Sequence, residues 1–409
     1  MKFIKRFFVL IFALCFSFAA FAVDFGGIVT NRSALEKFNR VNPQLNQKNS
    51  LSVWIRQNFD KSGENYIAAE TSYNFESDFF VANSSNQVFT NALDFNLLKF
   101  AYVKDFDFGK FGLNAGRFYF SDLSGIVFVQ NADGIKFDFQ NDWVKTSIYS
   151  SYTGLLNALT SEMITSPATS FSFAEQVPLE DSQNSFVTDT NKLYDLAQKY
   201  LIGAFSFSLP NLIENQTVSL EYLGAFRLEN EKFNRMYASL SFDGPIYNSL
   251  FYNISTTFGF TNYAGENKIS NLSKANLRYY LKNLSLGANA IYASGNQGVL
   301  STFSGFTKNT STYSRQSFLY SGIIKAGLNA SYKPIPTLLL TADCDTIFNA
   351  SAGSNFDKIE FFAFQYSVGA LWQVKSDFQL GLTGYQFLDK ANSDSARKSY
   401  VCLSASLAF

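Results

Sequence analysis

The chain has 409 residues, 33 of them basic and 33 acidic, and it contains no histidine. A Ser-His-Asp site or a histidine-ligated metal centre is therefore impossible, and we expect no enzyme, catalytic residue, metal or cofactor. The even charge balance gives no reason to expect a nucleic acid as partner. Hydrophobic residues make up 47% of the chain, yet after residue 22 no apolar run is long enough for a transmembrane helix.

In chain order, the first element is an export signal. Lys2, Lys5 and Arg6 precede an apolar core from Phe7 to Phe18, and Ala20-Phe21-Ala22 predicts cleavage after Ala22. From there to the end, segments of period two recur between turn-forming clusters. The predicted strands are 25–32, 50–59, 65–75, 93–104, 111–120, 134–140, 143–153, 199–208, 216–227, 233–242, 249–259, 271–281, 284–293, 319–332, 337–348, 359–373, 377–388 and 399–409. The cleanest hairpin puts Leu277, Tyr279, Leu281, Leu284, Leu286, Ala288 and Ala290 on one apolar face, around a turn at Lys282-Asn283. Heavy use of Phe (46) and Tyr (22) at near-zero mean hydropathy fits strands that are apolar outward and polar inward.

Short turns alternate with long connections. The short ones are predicted at 61–64, 105–110, 141–142, 210–215, 243–245, 282–283, 333–336 and 375–376, and the long ones include 76–92, 121–133, 154–198 and 295–317. With the short turns at the periplasmic end, strand 50–59 runs downward, and an upward strand must precede it. The expected fold is all-β: one domain, 23–409, forming a transmembrane antiparallel up-and-down β-barrel of about 18 strands. Sixteen is the alternative if one pair has been split. Cys344 and Cys402 are expected unpaired, on opposite faces of non-neighbouring strands.

Where alternation is clear, the polar face is assigned to the lumen. This makes Arg56, Lys136, Asp138, Glu221, Arg227, Arg235, Lys274, Arg278, Lys325, Asp343 and Asp345 pore-lining, with Arg117 and Lys145 joining them. A charged lumen of this width is wet. The connection 154–198 is acidic, with Glu162, Glu175, Glu180 and Asp181, and it also carries apolar stretches that call for a packing partner.

Three features resemble known families. The strand ending on Val401, Leu403, Ala405, Leu407 and Phe409 resembles the terminal targeting strand of bacterial outer-membrane β-barrels. That resemblance implies the outer membrane of a diderm bacterium and recognition by the barrel assembly machinery, with Tyr400, Leu407 and Phe409 as the assembly signal. The run from Gly116-Arg117-Phe118-Tyr119-Phe120 to Asp133-Gly134-Ile135-Lys136 resembles the matching hairpin of substrate-specific porins and alginate-export-type barrels. It implies a pore-lining role for Arg117 and Lys136. Porins fold one loop inward to narrow the pore, so connection 154–198 is the candidate constriction, with its acidic groups facing basic wall residues. The function implied is passive diffusion of small hydrophilic solutes through a water-filled channel, possible homotrimer included. The alternative is a surface adhesin or antigen barrel whose loops 154–198 and 295–317 bind host or matrix proteins.

Overall fold

A computed structural model describes residues 23–38, 43–80, 87–164, 192–229, 233–263, 265–295, 299–310, 317–318, 320–350, 359–389 and 398–409. The strands are β1 (Val23–Phe38), β2 (Gln44–Asn58), β3 (Tyr66–Phe80), β4 (Gln87–Phe106), β5 (Gly109–Ser121), β6 (Val129–Gln140), β7 (Lys145–Tyr152), β8 (Tyr200–Ile213), β9 (Gln216–Arg227) and β10 (Phe233–Tyr247). They continue as β11 (Leu250–Tyr263), β12 (Glu266–Tyr280), β13 (Leu284–Ala293), a two-residue pair β14 (Asn309–Thr310) and β15 (Ser317–Phe318), then β16 (Ile323–Ile335), β17 (Leu338–Asn349), β18 (Glu360–Gln373), β19 (Phe378–Asp389) and β20 (Lys398–Ala408).

Apart from β14 and β15, each strand pairs antiparallel with its sequence neighbours, and β1 pairs with β20, so eighteen strands close into one barrel. Closure pairs the first strand with the last, so neither is left as an open edge to template association. All eighteen predicted strands are present. Several run further from the short-turn end than expected: β1 continues to Phe38, β2 starts at Gln44 and β4 starts at Gln87. Stretches such as Asn31-Arg32-Ser33 and Asn46–Ser50 are polar on both faces, so period-two alternation is lost while the pairing continues. Two turns also lie later than expected. Pro245 is inside β10, whose turn is at 248–249, and Pro334 is inside β16, whose turn is at 336–337. Both prolines sit where the register shifts, between Pro245 and Tyr247 and between Tyr332 and Ile335, so neither breaks a regular ladder.

The pairing fixes which side chains share a face. Leu277 opposes Ala288, Tyr279 opposes Leu286 and Ala275 opposes Ala290, all on the outward face, as the alternation predicted. Cys344 shares the outward face with Leu340, whereas Cys402 points inward. The two are separated by β18 and β19 and are free thiols. At the closing seam, the Gly27 N–H donates to Phe409 O (2.9 Å) and the Phe409 N–H donates to Gly27 O (3.0 Å). The Phe409 ring lies over Gly27, where a Cβ would come within 2.5 Å of the ring carbon Cζ, so only glycine accepts the aromatic there.

Candidate functional site

The candidate site is the interior of the barrel. Three connections fold into it and pack against β5–β13. The first, 122–128, is shaped by Asp122, whose carboxylate accepts from the backbone N–H groups of Ser124 (2.8 Å), Val127 (3.0 Å) and Phe128 (2.9 Å). It crosses to the far wall, where the Leu123 N–H donates to Glu221 Oε1 (2.9 Å) and Lys274 Nζ donates to Ser124 O (2.6 Å). The second is the described part of the β7–β8 connection, 153–164 and 192–199. The third, 299–308, precedes β16. The third meets the first through Phe306 N–H to Val127 O (2.7 Å), and the second meets the third through Ile164 N–H to Phe306 O (2.9 Å) and Lys308 N–H to Glu162 O (2.7 Å).

Arg235 holds this plug. Its side chain is fully buried, with one guanidinium nitrogen donating to Gly305 O (2.8 Å) and another to Ile164 O (2.7 Å). The cation also lies 4.2 Å from the centre of the Phe233 ring and 4.5 Å from that of Phe306, which adds cation–π attraction. Around it Phe120 stacks on Tyr149 at 4.0 Å between ring centres, and Phe128, Tyr200 and Phe306 complete an apolar cluster. The molecule's hydrophobic core is thus inside the barrel, between wall and connections.

The opposite arc, β16–β20 with β1–β4, is lined differently. Lys325 pairs with Asp345 (3.1 Å), Gln365 donates to Asp345 (2.7 Å), and the Tyr385 hydroxyl donates to Gln365 (3.0 Å). Ser367 donates to Asp343 (3.2 Å), and the Arg32 guanidinium donates to Cys402 Sγ (3.1 Å). Near the short-turn end a cavity of about 880 Å³ is lined by Asp24, Trp54, Arg56, Tyr66, Glu70 and Leu97. There the Arg56 guanidinium lies 4.0 Å above the Tyr66 ring.

Arg56, Lys136, Asp138, Arg278, Lys325, Asp343 and Asp345 lie on the inner face, and Lys136 and Asp138 form an ion pair at 2.8 Å. Lys145 shares that face through its pairing with Ser208. Arg227 lies at the rim, paired with Glu229 at 3.3 Å. Glu221, Lys274 and Arg235 also point inward, but they serve as attachment points for the plug. Arg117 departs from the expectation, because pairing with Leu98 and Asp133 puts it on the outward-facing set, while Phe118 and Phe120 point inward onto the plug.

Of the constriction residues, Glu162 lies in the lumen, and Glu175, Glu180 and Asp181 lie outside the described residues. Burial pushes the Glu162 carboxyl above the usual range, against the opposing pull of Lys308 and Lys48. Of the assembly residues, Leu407 and Phe409 share the outward face, whereas Tyr400 points inward, buried and packed on Tyr385 at 5.3 Å. Among the described residues no group of three Cys, Asp or Glu side chains is placed to hold a metal ion. Sequence reasoning missed segments 122–128 and 299–308. The signal it could have used is the apolar run Ile126-Val127-Phe128, which has no lipid to face within an external connection.

The closed wall, apolar outward and partly filled from within by its own connections, defines an 18-stranded β-barrel of the outer-membrane type. No family model matches the chain, and no curated protein does. Solved structures share the fold across 95% of this chain. Pseudomonas aeruginosa OpdQ matches with a TM-score of 0.57 at 10% identity, covering 98% of that chain, and OccK5 (OpdH) with 0.55 at 12%, also covering 98%. The outer membrane protein OprD from the same organism matches with 0.52 at 10%, covering 93% of that chain. At these identities the likeness is one of fold.

Proposed function

We propose that the chain is an outer-membrane porin, a water-filled channel for passive diffusion of small hydrophilic solutes, with no catalytic step. The observation that carries this is the polar and charged inner wall of β16–β20 and β1–β4, facing a lumen that the plug fills from the other side. The fold shared with the outer membrane protein OprD supports the same reading. Of the connections an adhesin would need to display, 154–198 and 295–317, the described parts 154–164 and 299–308 are held in the lumen through Ile164 O and Gly305 O on Arg235.

The pore-lining set is then Arg56, Lys136, Asp138, Arg278, Lys325, Asp343 and Asp345, and Glu162 narrows the passage toward Lys48. Opposite charges across that passage give a transverse field and weak net ion selectivity. On this reading residues 1–22 are a cleaved export signal, and the assembly machinery reads Leu407 and Phe409 on β20. Association into a homotrimer, which the porin resemblance implies, is read directly by sedimentation of the detergent-solubilised barrel. Planar-bilayer recording tests the function: steady open-channel steps with a reversal potential near zero are expected in a salt gradient. A silent barrel would sink the proposal.

A further inference from the structure

Between β4 and β5 the barrel wall has a seam. These strands pair only from Leu98–Arg117 down to Phe106–Gly109. Above that point β4 residues 87–97 have β3 alone as their barrel neighbour, and β5 residues 118–121 have β6 alone. Gly116 turns β5 away at φ +105°, and a Cβ there would sit 2.0 Å from Leu98 O, so the divergence is built into the backbone.

The gap is filled by the β7–β8 connection. The Leu93 N–H donates to Leu193 O (2.9 Å), Asn157 Nδ2 donates to Leu93 O (2.9 Å), and Asn157 and Leu196 form a short antiparallel bridge. Arg117, buried at 6% exposure, fastens the patch. It donates to Phe95 O on β4 (3.0 Å), to Leu155 O in the connection (2.7 Å), to the Tyr194 hydroxyl (3.2 Å) and to Asp133 on β6 (2.7 Å). On the outer surface beside the patch lies a groove of about 620 Å³. Outward-facing Val53, Ile55, Phe95 and Leu98 line it together with Leu155, and lumen-facing Glu70 and Leu97 border it as well.

We propose that this seam is a lateral exit, through which an amphipathic solute with a small polar head and a single apolar tail passes from the lumen into the bilayer. The route rests on the channel reading, since the solute must first enter the lumen. The lumen side of the seam offers Glu70 and Asp94 to a polar head, and the groove offers hydrocarbon contact to a tail. Over most of the described wall closure is by strand ladders, whose separation would expose many backbone groups to lipid at once. At the seam the closure is made by a connection, so opening it displaces that connection and its hydrogen bonds rather than a strand ladder.

The test uses the full mature chain, with Cys344→Ser and Cys402→Ser, carrying Leu93→Cys and Leu193→Cys. The hydrogen bond between these residues holds the two backbones at strand distance, within reach of a disulfide. The protein is reconstituted in vesicles, pyrene-labelled decanoate is supplied, and its arrival in the bilayer is read as pyrene fluorescence. Potassium conductance is recorded on the same preparation. Oxidation is expected to slow protein-dependent transfer about tenfold or more while conductance is retained, and reduction is expected to restore it. Leu98→Trp, which fills the groove without touching the hydrogen bonds, is expected to slow transfer in the same way. Equal transfer in the oxidised and reduced forms, or in Leu98→Trp and its parent, overturns the lateral route. A parent protein that conducts no ions overturns the channel reading, and the route with it.

Discussion

Along β5–β13 the inward side chains include Phe118, Phe120, Tyr149, Tyr200, Ile202, Leu223, Tyr237 and Leu272, all buried. Along β16–β20 and β1–β4 the inward set includes Lys325, Asp343, Asp345, Gln365, Ser404, Arg32, Glu70 and Lys99. The outward faces of the two arcs do not differ in this way, since Leu277 and Ile254 on one match Leu382 and Leu403 on the other. The interior pattern of a barrel therefore records what covers the wall locally. Lipid sets the outer face everywhere; the plug sets the inner face along β5–β13, whereas the other arc mixes charged and polar wall residues with buried rings such as Tyr385, Phe387 and Tyr400.

The largest expected effect breaks that division at its anchor. Arg235→Ala removes two charge-assisted hydrogen bonds, at roughly 1.5–3 kcal/mol each, so the barrel should lose about 3–6 kcal/mol. It should also conduct several-fold more current as the plug loosens, whereas unchanged conductance would mean that the plug does not narrow the channel. Next, Leu277→Arg and Leu382→Arg place a cation on the lipid face of opposite arcs at similar distances from the short turns. Each should cost about 2–4 kcal/mol if that level is near the midplane, measured by denaturant unfolding in vesicles. Unequal costs would show that the arcs differ outside as well as inside.

Smaller effects sharpen the wet arc. Asp345→Asn keeps an acceptor for Gln365 but leaves Lys325 without its counter-charge, so stability should fall by about 1 kcal/mol. The reversal potential should move toward anions. The pH dependence comes from Glu162: because burial raises its pKa, it takes up a proton on acidification before an ordinary carboxylate does. Anion preference should therefore rise as pH falls toward the usual carboxylate range, and Glu162→Gln should abolish that early rise. Phe409→Ala should change the folded barrel least, since the ring is 70% exposed over Gly27. Reduced surface levels with unassembled chain in the periplasm are expected, and normal levels would remove the assembly role from this residue.

The strands and their outward faces were legible in the sequence because lipid imposes one rule around the whole perimeter. The inner face obeys no single rule. Arg117 reads as a lumen residue because it is charged and flanked by aromatics, but those aromatics have plug residues to bury against, so the pattern inverts. Arg235 and Lys274 were placed on the correct face, yet their partners, Gly305 O, Ile164 O and Ser124 O, are backbone atoms on other connections. Such contacts depend on how loops cross the lumen, and no local periodicity encodes that. The long polar strand ends were missed for the related reason that beyond the membrane neither face is marked by lipid.

The pairing of β1 with β20 has a consequence for how the barrel forms. Every other barrel ladder joins strands close in the chain, whereas this one joins Thr30 to Ser406 and Leu35 to Val401. Loop-closure entropy makes so distant a pairing the slow one, and until it forms both terminal strands carry bare hydrogen-bonding edges. Substitutions that weaken the β1–β20 register will therefore act first on the rate of closure. They lengthen the interval in which two chains can join edge to edge, and only afterwards lower the stability of the finished ring.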